Sequence, residues 1–341
     1  MVNISDILKG VKKEESLQQR RPAKVKKQEV PGEPGRSGVR IAPVVMERGR
    51  VLNKEECAEI YREAISLLKE IKEKALNNDV LECKSIISCV DRLVEQLIMD
   101  NESLLELTTG SIQHDFYSHE VNVCILSIKT GIGLGYDKAE LMELGSSAIL
   151  HDMGMIKYMD LANRPGKLTA EEFNEIKNHP ETGSDILERA RELPEIAVRV
   201  ALQEHERMDG SGYPHGLKGE AVHKYAAIVG LADSYEAMTH SRPYRDKYMS
   251  MDAIRELSKA KKAFEYKLIK ILLEVIGAYP MGSLVRLNTK ERGRVAKINR
   301  GFPTRPVINI MYDRDNRKLK DKRVVDLRKQ QAVYIEKVLQ E

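Results

Sequence analysis

The chain predicts a mainly α fold with a small β-subdomain at its C-terminal end. Apolar residues recur at helical spacing from about residue 60 to residue 280, and helix-start signals precede several of these stripes. From Ser283 the pattern changes to short β-branched runs separated by Gly, Pro, Asn and Asp. Trp is absent and aromatics make up only 5% of the 341 residues, so the predicted core is aliphatic.

Residues 1–45 read as a disordered basic tail. Lys and Arg are scattered through it, and Pro31-Gly32-Glu33-Pro34-Gly35 breaks any helix. Residues 46–105 read as a helical hairpin. Ile60, Ala64, Leu67, Leu68 and Ile71 form one stripe, Leu81, Ile86, Ile87, Val90, Leu93, Val94 and Leu97 a second, and Asn77-Asn78-Asp79 the turn between them. Such stripes need a neighbour to cover them. Either the following domain or a second copy of the chain serves, and the latter gives the expectation of a homodimer through the N-terminal helices.

Residues 106–280 read as all-α. Asp137 with Glu140 three residues on is a capping box, and its helix runs to His151-Asp152 with Gly154 as terminator. Thr169-Ala170-Glu171-Glu172 starts a second helix toward His179, and Pro180 suits the first turn of the next. A helix from near Pro194 ends at His205. Ala226 to His240 is apolar and carries Asp233 in its middle. Residues 281–341 give β-like runs at 284–287, 294–298, 306–310 and 323–327, followed by a C-terminal helix.

Composition excludes some functions. A net charge of +4 does not supply the concentrated basic face of a duplex nucleic-acid binder. The best apolar run, Leu268 to Ala278, contains Lys270 and Glu274 and is too short to cross a bilayer. The N-terminus lacks the apolar stretch of a signal peptide. Cys57, Cys83, Cys89 and Cys124 lack metal-type spacing and read as buried free thiols. The expected location is the cytoplasm, without membrane attachment.

The chemistry lies in the middle of the chain. His151 is followed directly by Asp152, isolated histidines stand at 119, 179 and 205, and Asp233 sits among Ile228, Val229, Leu231 and Ala232. A carboxylate in an apolar helix is costly unless it meets a cation or hydrogen-bond donors. Imidazole and carboxylate donors together suit Fe, Mn or Zn, and two such ions can assist phosphoryl displacement. Any one of these histidines alone reads equally well as a helix cap or a hydrogen-bonded near-surface residue.

Several stretches are more specific. They are Leu150-His151-Asp152-Met153-Gly154, Asn163-Arg164-Pro165-Gly166-Lys167-Leu168-Thr169, His179-Pro180-Glu181-Thr182-Gly183, the run from His205 to Gly212-Tyr213-Pro214, and Ala232-Asp233 through Ser241-Arg242-Pro243-Tyr244-Arg245. In order and spacing, over about residues 110–280, the chain resembles the HD-GYP phosphodiesterases of the HD hydrolase superfamily. The resemblance implies an all-α HD bundle and hydrolysis of cyclic di-GMP to pGpG, GMP or both. It implies His119, His151, Asp152, His179, His205 and Asp233 as ligands of two or three divalent transition metal ions, Fe or Mn, with Asp152 also catalytic. Family members with three ions use a further acid before the first His and a second His before the Gly-Tyr-Pro His. Asp115 and Glu204 stand at those positions here and are taken as an outer metal site. The family's His-Asp-x-Gly-Lys is His151-Asp152-Met153-Gly154-Met155 in this chain, so Lys157 becomes the candidate for neutralising the scissile phosphate.

By the same resemblance Arg242 and Arg245 contact substrate phosphate, Gly212 and Pro214 shape the loop, and Tyr213 stacks on a base or packs. The loop is also a candidate surface for a signalling-protein partner. Two alternatives stand beside turnover. One is a sensor that binds cyclic di-GMP and reports through partners, favoured by Met155 and Glu204. The other is a generic HD phosphohydrolase.

Overall fold

The computed structural model describes residues 50–109, 115–164, 168–240, 248–260 and 262–339. The expected basic tail, Lys167, Arg242 and Arg245 therefore lie outside the described residues.

The chain from Val51 on is a single unit of helices carrying one sheet. Helix α1 (Lys54–Leu76) starts where Asn53 accepts hydrogen bonds from the backbone N–H groups of Glu55 and Glu56, and Glu56 closes the capping box. It buries Cys57, Ile60, Tyr61, Ala64, Leu68 and Ile71, and with them Lys72. Helix α2 (Lys84–Ile98) buries Ile86, Cys89, Val90, Leu93, Val94 and Leu97. Each fully buried aliphatic side chain contributes about 1.5–3 kcal/mol. Both helices pack on the rest of the bundle, so the stripes that suggested a second copy are covered within the chain.

After the short helix α3 (Glu102–Leu107) comes α4 (Phe116–Leu134), buried from Ser118 to Gly131. That all-round burial makes it the axis of the bundle. Helix α5 (Lys138–Ile149) starts at the expected Asp137–Glu140 capping box. It ends at Ile149, before His151, and Met153–Tyr158 continues as a 3-10 turn. Gly154 lies inside that turn and does not terminate the helix. The short α6 (Met159–Ala162) and α7 (Ala170–Ile176, capped by Thr169 and Glu172) lead to α8 (His179–Leu187), which has Pro180 in its first turn. Helices α9 (Glu195–Gln203), α10 (Lys224–Thr239), α11 (Ser250–Lys259) and α12 (Tyr266–Ile276) complete the bundle.

The C-terminal region forms an antiparallel sheet of β1 (Leu284–Leu287), β2 (Arg292–Lys297), β3 (Val307–Tyr312), β4 (Lys318–Asp326) and β5 (Ile335–Val338), in the order β4-β3-β2-β1-β5. Val285, Leu287, Val295, Ile308 and Ile310 point to one buried face. The expected C-terminal helix is corrected to β5. Ile335–Val338 pairs with the free edge of β1, and that ladder overrides the local helical pattern. The sheet is tied to the bundle where Thr109 Oγ1 donates to Met281 O (2.9 Å) and Ile298 N–H donates to Glu102 (3.4 Å).

Candidate metal centre

Four helix ends and one helix interior converge at the centre. His119 and Glu120 lie one turn into α4, and His151-Asp152 follow the end of α5. His179 opens α8, Glu204-His205 follow α9, and Asp233 projects from mid-α10. Their donor atoms form two groups, His119–His151–Asp233 and His179–Glu204–His205, each with its atoms within 4.8 Å of one another.

The two groups adjoin one another. Glu204 lies 3.3 Å from His151 Nε2 and 3.7 Å from His179 Nε2, so its carboxylate spans them. Asp152 Oδ1 is 3.5 Å from His179 Nε2, and His119 Nε2 is 3.2 Å from Asp233 Oδ1. His151 Nδ1–H donates to Ala148 O and His179 Nδ1–H donates to Ile176 O, both at 2.7 Å. His119 Nδ1 faces Glu236. Each bond leaves Nε2 facing the other donors, and with its proton removed that atom offers the lone pair a metal requires.

The surroundings favour a cation. His179 and His205 bring their Nε2 atoms within 3.0 Å, and two facing lone pairs at that distance need a proton or a cation between them. Burial disfavours a charged His179, but Glu204 and Asp152 outweigh it and lift the imidazole to about 9. Burial opposes ionisation of Asp233 as well, yet His119, His205 and His151 hold its carboxyl well below the usual range. Asp152 is likewise lowered, with His179 and His151 outweighing its burial. His205 is lowered, chiefly by burial.

Among the described residues four buried carboxylate oxygens accept no hydrogen bond: Asp152 Oδ1, both of Glu204 and, behind them, Glu120 Oε2. A buried charge without hydrogen bonds is costly unless something else pairs it. Divalent ions held by this mixed nitrogen and oxygen set fit the arrangement.

Two expected residues do not join the cluster. Asp115 caps α4: its Oδ1 accepts from Ser118 N–H at 2.8 Å, and its half-exposed side chain faces Lys69. A carboxylate satisfied by a helix N-terminus has no reason to turn toward a metal. Lys157 sits on the 3-10 turn with its side chain exposed to solvent, while Ile156 beside it is buried. Glu204, expected at an outer position, is 1% exposed and central.

The Gly-Tyr-Pro loop closes over His205. The Tyr213 ring stacks on the His205 ring at 4.7 Å between centroids, and Tyr213 N–H donates to His205 O. A side chain on Gly212 would meet the backbone of His205 and Arg207 at 2.4–2.5 Å, so only glycine allows the loop this close. The bond between Tyr213 and Pro214 is cis.

Sequence reasoning missed the residues that hold this site from behind. Buried Glu236 meets His119, accepts from Asn122 Nδ2 (2.9 Å) and lies 3.1 Å from His240 Nδ1. Its position one turn after Asp233 was the available signal. Buried Glu206 accepts from the backbone N–H groups of His215 (2.7 Å) and Leu217 (2.9 Å) and so pins the loop. Lys72, directly after Ile71 in the stripe of α1, is buried as well.

A family model described as an HD domain matches residues 84–267, and one described as a KOW domain associated with HD domain matches residues 284–341. The chain is 28% identical over 312 residues to the cyclic di-GMP phosphodiesterase PA4108 of Pseudomonas aeruginosa, covering 88% of this chain and 74% of that protein. It is 41% identical over 124 residues to the cyclic di-GMP phosphodiesterase response regulator RpfG of Xanthomonas campestris pv. campestris, covering 36% of this chain and 32% of that one. It thus spans about three quarters of the first relative and a third of the second. Among solved structures, Bd1817, an HDG"Y"P protein from Bdellovibrio bacteriovorus, shares the fold. The TM-score is 0.54 at 20% identity, over 64% of this chain and 71% of that chain.

Proposed function

The chain belongs to the HD domain family, and from that premise we propose that it is a metal-dependent phosphodiesterase hydrolysing cyclic di-GMP. One observation carries the reading: the buried oxygens of Asp152 and Glu204, which accept no hydrogen bond, lie between two histidine-rich groups whose Nε2 atoms face inward. The substrate class is supported by the names of two relatives.

His119, His151 and Asp233 would hold one ion and His179, Glu204 and His205 a second, with Asp152 between them. Two ions, and not three, follow from the engagement of Asp115 in its cap. The nitrogen and oxygen donors suit Fe, Mn or Zn, and of these the family resemblance implies Fe or Mn. When bound, the ions supply Lewis acidity that eases loss of a proton from water and offsets charge on the phosphate. The chain's own residues do the rest. The Nδ1 bonds of His119, His151 and His179 hold the imidazoles in one tautomer and orientation. Tyr213 covers one face of His205. Arg242 and Arg245, close after Asp233 in sequence, are assigned to the substrate phosphates, where a guanidinium binds in bidentate fashion.

Among the described residues no helix is long and apolar enough to cross a membrane. Four buried free cysteines support a location in a reducing cytoplasm. The complete ligand groups favour turnover over the sensor reading, although neither Met155 nor Lys157 supplies the family's lysine.

The test is purification under anaerobic, reducing conditions, with elemental analysis and product detection on cyclic di-GMP. About two Fe or Mn per chain with pGpG or GMP released is the expected result. Binding without product would favour the sensor. Hydrolysis of simple phosphate esters but not of cyclic dinucleotides would favour a generic phosphohydrolase.

A further inference from the structure

Helix α1 lies outside the matched HD region, which begins at residue 84. It nonetheless sends one charged side chain to the back of the metal centre. Lys72 is completely buried. Its Nζ lies 2.6 Å from Glu120 Oε1 and 3.3 Å from the backbone carbonyl of Asp152, with the Phe116 ring 3.8 Å away. Glu120 follows His119 in α4, and Asp152 follows His151 at the end of α5. A single ammonium therefore joins the segments that carry His119 and His151, two of the three residues of the His119–His151–Asp233 group. Being inaccessible, it cannot touch substrate.

We propose that Lys72 is a positioning residue by which the N-terminal helix sets the metal affinity of the centre, through its grip on the Asp152 carbonyl and on Glu120. The inference rests on the metal-centre reading above.

Charge balance supports it. Asp152, Glu204, Asp233, Glu236 and Glu120 place five carboxyl groups in and around the centre. Lys72 sets one buried positive charge against them, paired directly with Glu120. A buried ion pair kept only for stability can be replaced by uncharged groups of similar volume without loss. The bond to the Asp152 carbonyl gives Lys72 a task that such a replacement does not perform. Groups behind metal ligands typically change metal affinity by about 10–100-fold when removed.

The experiment compares the full chain with the double variant Lys72→Met/Glu120→Gln, which strands no buried charge. Mn2+ binding is titrated calorimetrically on metal-free protein, beside the melting temperature and the KM for cyclic di-GMP. The expected result is a melting temperature of the metal-free protein close to the parent's, at least one Mn2+ bound about 10–100-fold more weakly, and an unchanged KM. Parent-like Mn2+ affinity in the folded variant would overturn the inference. A parent that binds no Mn2+ would instead overturn the metal-centre reading itself.

A second measurement needs no variant. If Lys72 couples α1 to the centre, linkage requires that metal loading stabilise α1. Hydrogen exchange on the parent should then slow across the last turns of α1, around Lys72, when Mn2+ is added. Slowing confined to the ligand-bearing segments, with α1 unchanged, would also overturn it.

Discussion

Asp115 and Glu204 are both carboxylates at helix boundaries, and their surroundings give them opposite roles. Asp115 is half-exposed and satisfied by the N-terminus of α4, whereas Glu204 is buried with neither oxygen hydrogen-bonded. Asp115→Ala is expected to cost about 1 kcal/mol of stability through the lost cap and to leave metal content unchanged. Glu204→Ala is expected to lose at least one ion per chain. Equal metal content in the two variants would contradict the assignment. His151→Ala and Asp152→Ala should each strip metal while far-ultraviolet circular dichroism stays near the parent's, because both residues follow the last turn of α5 and do not build it. Residues in the notable motifs were legible from sequence. Glu236 and Lys72 were not, because an isolated Glu or Lys in a helical stripe looks the same whether it faces solvent or a buried partner.

At the scale of elements, the site depends on how closely α8 approaches the 3-10 turn after Asp152. A side chain on Gly154 would lie 2.0 Å from the carbonyl oxygen of His179. The tight contact, and not helix termination, is what the glycine serves here. Gly154→Ala should cost about 1–3 kcal/mol as overpacking. It should also weaken metal binding, since it pushes His179 away from Asp152. Melting temperature and Mn2+ titration check both, and parent-like values in both would remove the role. The loop is held differently. Glu206→Ala would leave the His215 and Leu217 N–H groups without their acceptor, so activity should fall at least several-fold while metal stoichiometry stays at the parent value. Loss of metal in that variant would place Glu206 in the centre instead. The C-terminal strand shows the limit of local pattern: residues 335–338 are apolar at i and i+3, a helical spacing, and the open edge of β1 decides for strand.

For the whole molecule, the buried charges link stability to pH and metal. The raised His179 imidazole, at about 9 against an ordinary 6.5, stabilises the metal-free fold fully below about pH 6.5, and that contribution is lost as pH rises through about 9. A metal needs the neutral ring and so competes with this proton. The melting temperature gap between Mn2+-loaded and metal-free protein should therefore widen from pH 6.5 to pH 9. A constant gap across that range would show that His179 holds no proton that the metal must displace.

Periodicity and caps in the sequence determined the helical class, most helix starts and the change to strands after Ser283, because these depend on neighbours within a few residues. The order of the histidines and acids determined which residues were candidates. Tertiary structure alone decided that the α1 and α2 stripes are covered by the same chain, that Glu204 is central and Asp115 peripheral, and that Lys157 faces solvent while Lys72 is buried behind Asp152. Those outcomes depend on which helix faces meet in space. Residues 72 and 152 are far apart in sequence, and no local pattern encodes the contact between them.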